Sequence, residues 1–100
     1  MESVMRNVAR KVGEYVAVPC YLYQSHGIVI MLHAAVKPEG ERQFTCSEHL
    51  TGQRICDGVT MQEALDKSIE RLRVQSLTVA ERVAEKAAVD GCANAPAPGG

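Results

Sequence analysis

Residues 57–63, which read DGVTMQE, carry the strongest local structural signal in this chain of 100 residues. The Thr60 side chain is placed to accept a hydrogen bond from the backbone of Glu63, and the Glu63 side chain to reach back to the backbone of Thr60. This reciprocal arrangement, the capping box, satisfies free backbone N–H groups at the start of a helix. We therefore predict that strands precede residue 57 and that a helix begins at residue 60.

An apolar stripe follows the capping box. Its members are Met61, Leu65, Ile69, Leu72, Val79, Val83 and Ala87, with Ala80 at the margin. At 100° per residue they stay within an arc of about 100°, which predicts one long helix over residues 60–89. A second capping box, Thr78 with Glu81, indicates the alternative of a break near residues 74–77. We prefer the continuous helix because a kink does not usually preserve the phase of a stripe.

The first residues of the chain also show helical spacing. Val4, Met5, Val8, Ala9 and Val12 fall on one stripe, and Arg6, Arg10 and Lys11 lie off it. Gly13 suits the left-handed turn that ends a helix. The pattern predicts a short N-terminal helix over residues 2–12 with one basic face.

Segments typical of strands lie between the two predicted helices. They are residues 15–23, 28–36, 42–50 and 53–56, separated by the turn signals SHG, KPEG and TG. Pro19 places the first of them at a sheet edge or bulge, and the continuous apolar run of the second suits a central strand. The sequence thus predicts an α+β domain over residues 1–91 with a three- to four-stranded antiparallel sheet. Residues 92–100 (CANAPAPGG) are predicted to form a disordered tail.

The composition excludes several classes of protein. Eleven basic and twelve acidic residues give a formal net charge of −1, which disfavours a protein that grips nucleic-acid phosphates. Four cysteines without C-x-x-C spacing are typical of free thiols in a reducing compartment, so we expect a cytoplasmic protein. The longest apolar run, residues 28–32, is far shorter than a membrane helix requires, and we expect no membrane contact.

No residue pattern points to catalysis or to a cofactor. Cys46, His49 and Cys56 are metal-ligand types, but they lack the paired spacing of a structural zinc site. His33 lies within an apolar strand, so its nitrogens are expected to find partners inside the fold, whereas His26 and His49 are expected to be exposed. We therefore predict a protein that is not an enzyme and that binds no metal and no cofactor.

The length of the predicted C-terminal helix suggests how the protein works. A 29-residue helix is about 44 Å long, whereas strands of eight or nine residues span about 27–30 Å. The far end of the stripe would overhang the sheet, and an exposed apolar stripe usually marks an interface. The predicted contact residues are Val79, Ala80, Val83 and Ala87, and the partner is another protein or a second copy of the chain. Alternatively, the predicted N-terminal helix of the same chain covers this end of the stripe.

Two known families share features with this chain. The order of helix, three or four strands and helix resembles the double-stranded RNA-binding domain, although residues 60–67 carry two acids and one Lys where that family has a lysine cluster. The pattern Gly58-x-Thr60-x-x-Glu63-Ala64-Leu65 resembles a motif of HicB-type antitoxins. These resemblances imply a nucleic-acid-associated regulator that uses Arg6, Arg10 and Lys11, which we keep as the alternative function.

The preferred function rests on protein–protein contact. Small, near-neutral domains without cofactors are similar in kind to phage-encoded inhibitors of host machinery, including anti-CRISPR proteins. We therefore predict a non-enzymatic binding module, of phage or other prokaryotic origin, that inhibits or regulates a host complex.

Overall fold

The computed structural model describes residues 3–11, 14–92 and 94. Five strands precede one helix, and the strands form an antiparallel sheet in which each strand neighbours the next along the chain. The elements are β1 (Val4–Lys11), β2 (Glu14–Ser25), β3 (Ile28–Glu39), β4 (Arg42–Glu48), β5 (Arg54–Gly58) and α1 (Met61–Asp90). The α+β class is confirmed, but the sheet has five strands where three or four were predicted.

The predicted N-terminal helix is wrong, because residues 4–11 form β1. This strand pairs with β2 from Val4 opposite Cys20 to Lys11 opposite Glu14. An isolated helix of this length is marginal without a partner, and the β-branched Val4 and Val8 favour a strand. Val8 is buried against the neighbouring layer. Pairing with β2 has therefore overridden the helical spacing of the sequence.

β2 changes its partner halfway along its length. Residues 14–20 pair with β1, whereas residues 21–25 pair with β3. Pro19, which lacks a backbone N–H, lies just before this change, in agreement with its predicted position at an edge. The β1–β2 hairpin can in this way leave the plane of the sheet and pack on one of its faces.

β3 lies in the middle of the sheet and is buried on both faces. Ile30 and Leu32 belong to the apolar cluster that contacts the helix, whereas Met31 packs with Val8 and Cys20 on the opposite side. Alternate residues of a strand point to opposite faces, so the two clusters define two layers. We call the face of Ile30 the helix face and the face of Met31 the hairpin face.

The second layer also explains one wrong detail of the sequence prediction. The alternation of polar and apolar residues along residues 42–50 predicts that Thr45 and Ser47, like His49, point outward, but all three are buried. Cys46 lies in the cluster on the helix face, so Thr45 and Ser47 point to the hairpin face. This polar row resembles a solvent-facing one because nothing in its pattern indicates that a second layer covers it.

The helix α1 begins where it was predicted, and the Thr60 half of the predicted capping box is confirmed. Thr60 is the N-cap, and its side chain accepts a hydrogen bond from the Glu63 backbone at 3.1 Å. The Glu63 carboxylate pairs with Lys67 at 2.9 Å. A Cβ at Gly58 would lie 2.5 Å from the backbone nitrogen of Ala64, so glycine lets the helix begin directly against the end of β5.

From this start α1 runs back along β5. Cys56 Sγ donates to the backbone carbonyl of Lys67 at 3.7 Å, and the Arg71 guanidinium donates to the carbonyl of Ile55. As the helix advances, its contacts move toward the first residue of the strand. The helix therefore passes Arg54, the first residue of β5, soon after Arg71.

Beyond that point the helix bends, so the prediction of one continuous helix is wrong and the alternative break within 74–77 is confirmed. Gln75 has non-helical backbone angles, φ −129° and ψ 33°. A straight helix of this length would measure about 45 Å, whereas the longest extent of the molecule is 31 Å. We call residues 61–74 the proximal half-helix and residues 76–90 the distal half-helix.

The bend preserves the phase of the stripe. Leu72 and Val79, which are two helical turns apart, are both fully buried in one cluster. The helix bends toward its apolar side. The apolar residues of the distal half-helix can then remain buried beyond the edge of the sheet. The inference that an unbroken phase implies an unbroken helix therefore fails here.

Asn94 fixes the chain after the helix. Its side-chain amide donates to the carbonyls of Asn7, at 2.8 Å, and His49, at 2.7 Å. Its side-chain carbonyl accepts from the Asn7 backbone N–H at 2.8 Å, and its own N–H donates to Leu50 at 3.0 Å. Asn94 thus joins the outer edge of β1 to the β4–β5 turn. Residues 93 and 95–100 of the predicted tail lie outside the described residues.

Candidate functional site

The distal half-helix presents two different faces. Val79 is 2% exposed and belongs to the core, and Val83 packs against the same cluster. Ala87 is half-buried, whereas Ala80 is exposed. The predicted contact stripe is therefore not one surface: Val79 is covered by its own chain, and of the four predicted residues only Ala80 is exposed.

A different line of residues faces solvent. Leu77 is 79% exposed, although it is a large apolar side chain. At spacings of three and four residues, Ala80, Ala84 and Ala88 continue from it along one side of the helix, and all three are exposed. Glu81 and Glu85 lie beside this line and are also exposed. We call Leu77, Ala80, Ala84 and Ala88 the outer ridge.

A cleft lies where the distal half-helix approaches the sheet. Its volume is about 290 Å³. Four cationic residues line it, and no acidic residue does. They are Lys37, Arg42, Arg54 and Lys86. We call this the basic cleft.

The buried wall of the basic cleft contains a paired histidine and serine. His33 Nδ1 lies 2.8 Å from the carbonyl oxygen of Ala34, and Nε2 lies 3.1 Å from Ser47 Oγ. Because a carbonyl only accepts, Nδ1 carries the proton and Nε2 accepts from the Ser47 hydroxyl. Burial lowers the pKa of His33, although the Ala34 carbonyl and the Asp57 carboxylate act in the opposite direction. The prediction that both nitrogens find partners inside the fold is confirmed.

Arg54 and Arg42 each have an acidic partner nearby. Arg54 Nη1 lies 3.3 Å from Asp57 Oδ2, and Asp57 Oδ1 accepts from Thr45 Oγ1 at 2.8 Å. Arg42 lies 3.7 Å from the exposed carboxylate of Glu39. Such partly exposed pairs are weak. Arg42 Nε is buried and has no hydrogen-bond partner among the described residues, so one donor of this guanidinium remains unused.

The structure does not form the predicted basic face of an N-terminal helix. Arg6 Nε donates to His49 Nε2 at 3.0 Å, and Arg6 Nη1 donates to the carbonyl of Met5 at 2.8 Å. Arg10 and Lys11 lie in β1, and their side chains are outside the described ones. His49, expected to be exposed, is buried, and both burial and the Arg6 charge lower its pKa.

The residues considered for metal binding do not converge on one site, because Cys46 and Cys56 lie opposite each other on β4 and β5 whereas His49 follows the end of β4. Cys46 packs in the cluster on the helix face, His49 is engaged by Arg6, and Cys56 donates to the Lys67 carbonyl. Throughout residues 3–11, 14–92 and 94, no group of three or more His, Cys, Asp or Glu is placed to hold a metal ion.

All four cysteines are free thiols. Burial raises the pKa of Cys20 and of Cys46 to about 11. Both thiols are therefore protonated at neutral pH, and the protonated form is the unreactive one.

Sequence reasoning missed the basic cleft altogether. Its cations come from β3, β4, β5 and the distal half-helix, and Lys86 is separated from Arg54 by 32 positions along the chain. Nothing in the spacing of these residues indicates a common site. Only the order of the strands and the bend at Gln75 bring them together.

Comparison of the chain with protein-family models, with curated proteins and with solved structures finds no match. In the part of the chain that the structure describes, no helix combines the length and the apolar character needed to cross a bilayer. The predicted role as an inhibitor or regulator of a host complex stays a prediction.

Proposed function

We propose that the protein is a small non-enzymatic binding module that acts by contact with another protein, and that the outer ridge makes this contact. The observation that carries the proposal is the 79% exposure of Leu77 at one end of a line of exposed alanines. Small side chains let a second helix approach closely. A large apolar side chain that is exposed to water next to such a row of small residues usually marks a contact site.

The charges beside the outer ridge favour a partner of a particular kind. Glu81 and Glu85 lie on one flank and are exposed. A second copy packed antiparallel on the ridge would bring these carboxylates close to their own counterparts, and like charges repel. A helix of a different protein, with small apolar residues flanked by Lys or Arg, avoids this repulsion and pairs with both carboxylates.

A designed peptide tests this proposal. We would titrate the isotope-labelled protein with an Ala- and Leu-striped helical peptide that carries Lys flanks, and record backbone amide shifts. The expected result is a set of shifts centred on residues 77–88 that vanishes in Leu77→Asp. Thr78→Asp, an exposed substitution off the ridge, should bind like the wild type, and a peptide with Glu flanks should bind more weakly.

Two results would contradict the proposal. One is the absence of shifts on the outer ridge at any peptide concentration. The other is equal binding by the wild type and Leu77→Asp when both variants have the same thermal stability. A stable homodimer of the free protein that Leu77→Asp disrupts would instead identify the partner as a second copy.

A further inference from the structure

We propose that the basic cleft is a binding site for a small molecule that carries two or more phosphate groups. The site is separate from the outer ridge and does not depend on the proposed function. Its charge is the first argument. The chain has a formal net charge of −1, yet the charged residues that line this one cleft are all cationic. A concave surface lined by one sign of charge concentrates ligands of the opposite sign.

The hydrogen-bonding groups of the basic cleft suit an anion. Arg42 and Arg54 present planar donor groups that match phosphate oxygens, and Lys37 and Lys86 add ammonium groups. Arg42 Nε is a buried donor without a partner among the described residues. A buried donor left unpaired is costly, and an anion beside Arg42 would satisfy it.

Rigid elements hold the inner wall of this cleft. Ser47 and His33 are each 3% exposed and hydrogen-bonded to each other at 3.1 Å. Thr45, which also lines the cleft, is fixed by Asp57 at 2.8 Å. These residues belong to three adjacent strands of the sheet, β3, β4 and β5. Preformed sites of this kind lose little conformational entropy when a ligand binds.

Size and lining decide what kind of anion fits. A volume of about 290 Å³ lies at the lower end of the range for small-molecule sites. No Phe, Tyr or Trp lines the cleft, so it offers no platform on which bases of a nucleic-acid strand could stack. The four cations therefore recognise the phosphate groups of a compact ligand and not a polymer.

The probe for this site is inorganic pyrophosphate, titrated by calorimetry and by backbone amide shifts at low salt. We expect binding with shifts at residues of β3, β4 and β5 that line the cleft. Arg42→Gln and Lys86→Gln should each weaken binding by about tenfold, the usual scale for loss of a charge-assisted contact. Arg73→Gln removes the same charge from an exposed site paired with Glu70, and it should leave the affinity within about twofold.

Lys86→Gln keeps the test valid if Arg42→Gln fails to fold, because Lys86 is half-buried on the distal half-helix and lies outside the apolar core. Three outcomes would overturn the proposal. They are no binding of pyrophosphate at about 10 mM, equal weakening by Lys86→Gln and Arg73→Gln, and displacement of pyrophosphate by a single-stranded RNA of about ten nucleotides that binds about 100-fold more tightly.

Discussion

The two halves of α1 are both amphipathic, but they are buried to very different extents. In the proximal half-helix Ala64, Leu65, Ser68 and Leu72 are buried against the sheet. Among residues 76–89 of the distal half-helix, Val79 alone is fully buried. The difference arises because the proximal half runs back along β5 and the distal half begins beyond Arg54, the first residue of that strand. The burial of a helical stripe thus depends on how far its partner strand extends, as well as on its own pattern.

A pair of leucines five residues apart provides the largest contrast. Leu72 is 0% exposed and Leu77 is 79% exposed. Leu72→Ala should lower the free energy of unfolding by about 2–5 kcal/mol, because it leaves a cavity in the core. Leu77→Ala should change it by less than about 0.5 kcal/mol.

Urea unfolding of both variants measures this contrast. The two substitutions remove the same atoms, so each serves as the control for the other. Similar destabilisation by both would show that the distal half-helix is packed as deeply as the proximal one. The outer ridge would then not exist.

The two sides of the sheet should differ in their response to acid. The expected effect on stability is smaller and more gradual than that of Leu72→Ala. The helix face is apolar at its centre, whereas the hairpin face holds the buried His33, and His49 is buried at the end of β4. Burial is the main cause that lowers both pKa values below 6.5. Between the lowered values and 6.5 the unfolded chain binds more protons than the folded protein. The stability that depends on the neutral imidazoles is therefore complete above pH 6.5 and is lost as the pH falls below it.

Thermal unfolding between pH 7.5 and pH 5.5 tests this expectation above the range in which carboxylates titrate. The melting temperature should fall toward pH 5.5, and the slope should be shallower in His49→Gln. His26→Gln, a substitution in an exposed turn, should keep the slope of the wild type. A melting temperature that does not change over this range would contradict the assigned burial of both imidazoles.

The sequence predicted those parts of the fold that local interactions determine. The Thr60 cap, the central position of β3 and the turn at residues 26–27 follow from side chains that act within a few residues of themselves. These features need no knowledge of the rest of the molecule.

The wrong predictions all concern segments whose environment comes from distant residues. Residues 4–11 have helical spacing, but β2 offers them a pairing edge. Ser47 looks solvent-facing until a second layer and the distal half-helix are placed over it. The capping box of Thr78 and Glu81 indicated the break near Gln75, but the unbroken stripe favoured a continuous helix, because the helix sequence does not encode how far β5 extends.

Both proposed binding surfaces depend on the bend at Gln75. Solution NMR of this 10.8 kDa protein tests it directly through nuclear Overhauser effects. We predict cross-peaks that join Lys86 to the side chains of Gln53 and Arg54, together with loss of the helical connectivity pattern at Gln75. An uninterrupted helix from Met61 to Asp90, with no cross-peak between Lys86 and the sheet, would contradict this account.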